Sequence, residues 1–203
     1  MEFWDGRTQA DESFADADLD EADLRGCRFD RCAFRGAVLS GATTTDCVFD
    51  RCDFAAARLN ASTHEHSAFT NCSFRGARLF AAAFQDCKLV GADFRESDLA
   101  ALTVEGGDWS YANLRFQDLK GRRFRGVRLV EADLYEAILE KADLRDADLT
   151  GATLDKARLS GADLRGAILD GVDLAALDLR GVRLDIAQAM ALARSLGALV
   201  ELD

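Results

Sequence analysis

Carboxylates, thiols and imidazoles are the groups in this chain whose types and spacing bear on chemistry. Its 203 residues carry 36 Asp and Glu against 25 Lys and Arg, a net charge of −11. Acids recur at short intervals near the C-terminus, at Asp133, Glu136, Glu140, Asp143, Asp146, Asp148, Asp155 and Asp163. General acid–base catalysis needs carboxylates converging on one reacting atom. A regular acidic array suits contact with a basic surface instead. The six cysteines, Cys27, Cys32, Cys47, Cys52, Cys72 and Cys87, all occupy the same position of a five-residue frame. Their spacing follows the frame and not a zinc-ligand pattern, so they are expected to act as slightly larger alanines in a core. His64 falls at an inward position and His66 at an outward one, which separates them as metal ligands. We find no nucleophile–base pair, phosphate loop or clustered metal ligands. An enzyme is therefore not expected, and neither a cofactor nor a metal is implied. The net charge disfavours direct nucleic-acid binding.

The frame that positions these groups repeats every five residues. From Ala132 to Asp170 the chain reads ADLYE AILEK ADLRD ADLTG ATLDK ARLSG ADLRG AILD. A period of five is neither the 3.6 of a helix nor the 2 of a simple strand. A short fixed period points to a solenoid. Apolar centres occupy every position ending in 4 or 9 from Phe14 to Leu184, which makes 35 units, with only Thr44 and His64 polar. If one coil takes 20 residues, like stacks on like. Phe14, Phe34, Phe54, Phe74 and Phe94 form one column, and Leu19, Leu39, Leu59, Leu79 and Leu99 form the next. Thr44 and His64 become neighbours, placed to satisfy each other. The absence of proline fits a backbone that donates almost everywhere to a ladder.

The frame divides the chain into an N-terminal cap (1–13), a repeat body (14–184) and a C-terminal segment (185–203). Phe3 and Trp4 are expected to cover the first coil. Residues 101–128 fit least well, with Leu102, Gly107, Gln117 and Arg122 at positions usually held by Ala or Cys. The coil there must bulge or widen, and Gly107 makes room for Trp109. Arg115, Lys120, Arg122, Arg123, Arg125 and Arg128 oppose only Asp118 and form a basic belt. It reads as a solvated face or a contact for an acidic partner. Asp185 with Gln188 reads as a capping box. Ile186, Met190, Ala193 and Leu196 then form one apolar helix stripe, which is expected to cap the last coil. Any surplus, with Leu199, would serve a two-fold dimer. Gly197 is the expected stop, and residues 198–202 are expected to form a short strand. No apolar run is long enough to span a membrane, and the N-terminus lacks signal-peptide regions, so a cytoplasmic protein is expected.

The A(D/N)LXX pattern resembles the pentapeptide-repeat family over nearly the whole chain. The resemblance implies an all-β solenoid, a right-handed quadrilateral β-helix of about nine coils, followed here by the short C-terminal helix. The uninterrupted frame, the run HSAFTNCSF at residues 66–74, the irregular LTVEGGDW and the terminal RLDIAQAMALA narrow it further. They resemble the branch holding the mycobacterial fluoroquinolone-resistance and Qnr proteins. That resemblance implies a rod-shaped dimer, joined through the C-terminal helices. Its acidic surface would occupy the DNA-binding saddle of DNA gyrase or topoisomerase IV, inhibiting the enzyme or shielding it from fluoroquinolones and other poisons. The loops that Qnr proteins carry have no counterpart in the unbroken frame, so inhibition is the firmer expectation. Residues 130–178 hold 12 acids and 5 bases over about 12 Å at strand spacing, a linear charge density near that of duplex DNA. The competing reading is a scaffold protein with another protein partner, its acids serving solubility and turn formation.

Overall fold

A computed structural model describes residues 3–200. It is a parallel β-solenoid ending in one helix. Two faces carry strands. One sheet stacks β1 (Phe3–Asp5), β3 (Asp23–Arg25), β5 (Thr43–Thr45), β7 (Thr63–Glu65), β9 (Ala83–Gln85) and β10 (Thr103–Glu105). The other stacks β2 (Thr8–Ala10), β4 (Arg28–Asp30), β6 (Val48–Asp50) and β8 (Ala68–Thr70). Every pairing is parallel with a shift of 20 residues, for example Trp4↔Leu24 and Leu24↔Thr44. The other two faces are joined by single bridges in the same register, such as Ser13↔Ala33 and Asp18↔Val38. The four columns of pairing make the coil four-sided.

The corners explain the five-residue period. On the bridged faces Ala17 N–H donates to Phe14 O at 3.1 Å, and Asp16 between them has φ 56°, a type II turn. The expectation of about nine coils needs one correction. Regular strands build about five turns, from β1 to β10. Beyond Glu105 the coils meet only through single bridges, ending at Asp163↔Arg183. The change follows composition, since the β-favouring residues of TTT, VFD and THE give way to ADL units, whose corners close as tight turns.

Inward centres build the core. Phe14, Phe34, Phe54, Phe74 and Phe94 stack at 4.8–5.1 Å between centroids, close to the spacing of paired strands. Phe29, Phe49 and Phe69 form a second stack at 4.7–4.9 Å. All six cysteines are buried. Cys47 Sγ donates to Leu24 O at 3.3 Å and Cys52 Sγ to Phe29 O at 3.4 Å, each reaching the coil before. Burial pushes the Cys47 thiol up to about 12. At the N-terminus Trp4 is buried against Phe14 and Phe29, whereas Phe3 is exposed. Only one of the two aromatics therefore covers the first coil, and the ladder already runs through β1 and β2.

The helix α1 (Ile186–Ser195) begins with the expected capping box. Gln188 N–H donates to Asp185 at 3.0 Å, and Asp185 N–H donates to the Gln188 side chain at 3.1 Å. Gly197 ends it at φ 87°, with Ala198 N–H donating to Ala193 O at 2.9 Å, a Schellman closure. Residues 198–200 form no strand, and 201–202 lie outside the described residues. The capping differs from expectation. Buried Gln188 closes the coil, its amide donating to Leu164 O at 2.5 Å and Ala167 O at 2.7 Å. A terminal coil leaves carbonyls unpaired, and an amide satisfies them where an apolar side chain does not. Ile186, Leu196 and Leu199 are left 81%, 66% and 94% exposed, while Met190 and Ala193 are half-buried.

Candidate partner-binding surface

The ADL units set where each acid points. Leu turns inward, so the preceding Asp lies outside beside its own corner. There Asp133 accepts from Tyr135 N–H at 3.1 Å, Asp143 from Arg145 N–H at 3.3 Å and Asp148 from Thr150 N–H at 3.1 Å. These carboxylates are turn-formers as well as charges. The sequence DLR adds a second bond, since Arg145 reaches Asp143 at 2.7 Å and Arg165 reaches Asp163 at 2.6 Å. Arg165 holds the Asp163 carboxyl down at about 2. Arg145 likewise lowers Asp143, and the Thr150 hydroxyl lowers Asp148.

The eight expected acids do not form one patch. In the 20-residue register Asp133, Glu136 and Asp155 share one face, Asp143, Asp146 and Asp163 a second, Asp148 a third and Glu140 the fourth. Only Asp143 and Asp163 pair directly across coils.

Four of the six cations of the basic belt are paired with this array or with Asp108. Arg115 meets Asp133 at 3.0 Å, Lys120 meets Glu140 at 2.8 Å and Arg125 meets Asp146 at 3.1 Å. Arg128 lies between Asp108 at 3.5 Å and Asp148 at 3.7 Å. Lys156 meets Glu136 at 3.3 Å, and Arg158 also bonds Glu140. Residues 113–178 together hold 13 acids and 11 bases, so the DNA-like charge density of the shorter window is largely offset by its neighbour. Of the eight, Asp155 alone has no ion pair among the described residues. The exposed pairs contribute little stability individually.

Unneutralised acid lies elsewhere. Along the edge where the six-stranded sheet meets its next corner, Asp46, Glu65, Asp86 and Glu105 supply one carboxylate per coil over four coils, none in an ion pair among the described residues. Writing the sequence in 20-residue rows exposes this strip. The sequence reading also missed a surface cluster beside Asp133 and Glu136. Phe116, 58% exposed, meets Tyr135 edge-on at 5.8 Å, and the Arg115 guanidinium lies 4.3 Å from the Tyr135 ring centre. Exposed aromatics with arginine are typical anchors of protein interfaces.

His64 is fully buried, as its frame position requires. Thr44 Oγ1 lies 2.9 Å from Nδ1 and Ser62 Oγ 2.9 Å from Nε2, and the ring stacks on Phe84 at 4.7 Å. The Thr44 partnership was expected. Ser62 and Ser67, which complete the network, were signalled by serine at two positions normally held by Ala or Cys. His66 is exposed. No group of three or more His, Cys, Asp or Glu among the described residues is arranged to hold a metal ion. No helix there is long and apolar enough to cross a membrane.

A four-sided parallel solenoid built from five-residue turns, with inward Leu and Phe and outward Asp, defines the class. The pentapeptide-repeat family model matches residues 13–51, 77–108, 110–146 and 147–185 in 8 copies, and the chain belongs to that family. No curated protein matches it at a significant level. Among solved structures it is similar to two trypsin-treated variants of QnrB1, a plasmid-mediated fluoroquinolone-resistance protein. Both are 25% identical, with TM-scores of 0.86 and 0.88. The matches cover 98% of this chain and 99% and 100% of those chains. HetL, a pentapeptide-repeat protein involved in heterocyst differentiation regulation in the cyanobacterium Nostoc sp. strain PCC 7120, is 27% identical with a TM-score of 0.52. That match covers 90% of this chain and 86% of HetL.

Proposed function

We propose that this chain is a Qnr-type DNA mimic that binds DNA gyrase, with topoisomerase IV as a second target. It inhibits the enzyme or shields it from fluoroquinolones and other poisons. The observation that carries this reading is the end-to-end likeness to QnrB1 on a rod with a net charge of −11. A basic DNA saddle attracts such a rod by long-range steering and short-range pairing. The contacts are the C-terminal acids Asp133, Glu136, Glu140, Asp143, Asp146, Asp148, Asp155 and Asp163, with the Phe116–Tyr135 cluster among them. Two copies pair through the apolar stripe of α1, using exposed Ile186, Leu196 and Leu199 with half-buried Met190 and Ala193, and present two acidic flanks about one dyad. The protein acts by occupancy without catalysis, free of cofactor and metal, in the cytoplasm.

The test is gyrase supercoiling inhibition by variants that lose charge but keep the turns. Asp133→Asn, Asp143→Asn, Asp148→Asn and Asp163→Asn retain the side-chain oxygen that accepts from the backbone. A folded fourfold variant is expected to lose at least tenfold in inhibition, and unchanged inhibition would refute the assignment of these acids. The local neutralisation of the C-terminal acids favours a second reading, a scaffold with a different protein partner. It predicts no effect on either topoisomerase.

A further inference from the structure

The solenoid wall is open at one corner, with unpaired N–H groups on one edge of the opening and, on the other, the carbonyls of Asp118, Lys120, Arg123 and Arg125 that they would otherwise meet. One coil earlier, Leu79 N–H donates to Asp98 O at 2.8 Å, Ala81 to Ala100 at 2.9 Å and Asp86 to Glu105 at 2.8 Å. One coil later, Leu119, Gly121, Phe124 and Gly126 donate to Ile138, Glu140, Asp143 and Arg145 at 2.8–2.9 Å. The corresponding bonds from Leu99, Ala101, Val104 and Gly106 are absent. The bridges that would join Asp98 to Asp118 and Thr103 to Arg123 are absent too, while Asp93↔Asn113 and Asp108↔Arg128 hold the flanking faces together. The result is a slit across two faces. Its cause is side-chain size. Gln117, bonded inward to Phe94 O at 2.9 Å, and Arg122 stand at positions usually held by Ala or Cys.

The N–H edge of the slit, with the guanidinium groups beside it, has the chemistry of an oxyanion site. It opens as a cleft of about 420 Å³ lined by residues 102–106, 121–123 and 125, and continues as a second opening of about 440 Å³. Arg122 lines both, and its Nε is buried without a hydrogen-bond partner. Arg122 and Arg123 take part in no ion pair among the described residues, unlike Arg115, Lys120, Arg125 and Arg128 around them. Three carboxylates line the two openings: Glu105, exposed and accepting from Gln85 at 3.3 Å, in the first, and Asp98 and Asp118 in the second, with the Asp86 carboxylate against Gly106 from the coil before. Leaving buried backbone donors and a guanidinium nitrogen unsatisfied is unfavourable. An anion taking several of them at once relieves that cost, as backbone nests do for phosphate. The volume falls in the range of small-molecule pockets.

We propose that this cleft binds a phosphorylated small molecule, its phosphate held by Arg122, Arg123 and the N–H groups of Val104 and Gly106. The probes are inorganic phosphate and phenyl phosphate, titrated calorimetrically and by thermal shift at constant ionic strength. Arg122→Ala restores the residue usual at this position, so it is expected to fold and to melt no lower than the parent. Lys88→Ala makes the same charge change away from the cleft. We expect saturable binding of both probes, tighter for phenyl phosphate, weakened at least tenfold in Arg122→Ala and unchanged in Lys88→Ala. Arg122→Gln, which keeps a donor in place, serves if the alanine variant does not fold. No saturable binding, or equal weakening in Lys88→Ala, would overturn the proposal.

Discussion

Stability should fall steeply between pH 7 and pH 5, through His64 alone. The groups against its ring are Thr44, Ser62, Phe69 and Phe84, and none can neutralise an imidazolium. Burial therefore depresses the imidazole to about 3, against about 6.5 in the unfolded chain. The folded state binds no proton where the unfolded state does, so stability is fully present above pH 6.5 and is lost as pH falls toward 3. At pH 5 the unfolded imidazole is almost fully protonated, and the linkage gives a loss of about 2 kcal/mol relative to pH 8. For a chain of this size that corresponds to roughly 4–8 °C in melting temperature. His64→Phe keeps a flat ring to stack on Phe84, and it leaves Thr44 bonded to Ser67 and Ser62 bonded to Leu59 O. Melting curves by circular dichroism at half-unit steps from pH 8 to pH 5 should slope for the parent and flatten for the variant. A variant with the parent's slope would refute the assignment and move the pH dependence to the surface carboxylates.

Three further outcomes follow from the same geometry. Gly107→Ala would place a Cβ 2.3 Å from Cys87 O at φ 90°, and combined strain and overpacking should cost about 3 kcal/mol, read as a fall in melting temperature. Asp185→Ala removes the helix cap and the bond from Gly166 N–H at 2.8 Å, costing about 1 kcal/mol, seen as lost helical signal and faster amide exchange in α1. Cys47 and Cys87, whose thiols burial raises to about 12 and about 11, should react with iodoacetamide at pH 8 only at the rate of unfolding.

The column logic was legible because the inward side of a solenoid repeats without interruption. Phe14 to Phe94, the buried cysteines and the Thr44–His64 pair all followed from a 20-residue row. What escaped depended on side chains of unusual size or reach. Arg115, Lys120 and Arg125 lie 18 to 21 residues from their carboxylates, so a linear reading saw a bare basic belt where the fold makes cross-coil pairs. Arg122 and Gln117 announced a widened coil, but only the backbone register shows that the wall opens across two faces. The helix and its capping box follow from the sequence, but the coil is closed by Gln188 and not by the apolar stripe. Closure of the last coil is a hydrogen-bonding problem, and it is solved by Gln188. Ile186, Leu196 and Leu199 are thereby left free at the surface.

The most direct measurement is DNA supercoiling by purified gyrase across a concentration series of the folded protein, with and without a fluoroquinolone. Inhibition at micromolar or lower concentration, or fewer drug-trapped breaks, is expected, weakened when the turn-forming aspartates become asparagines. Full supercoiling activity and undiminished breakage at every concentration, for gyrase and topoisomerase IV alike, would contradict it.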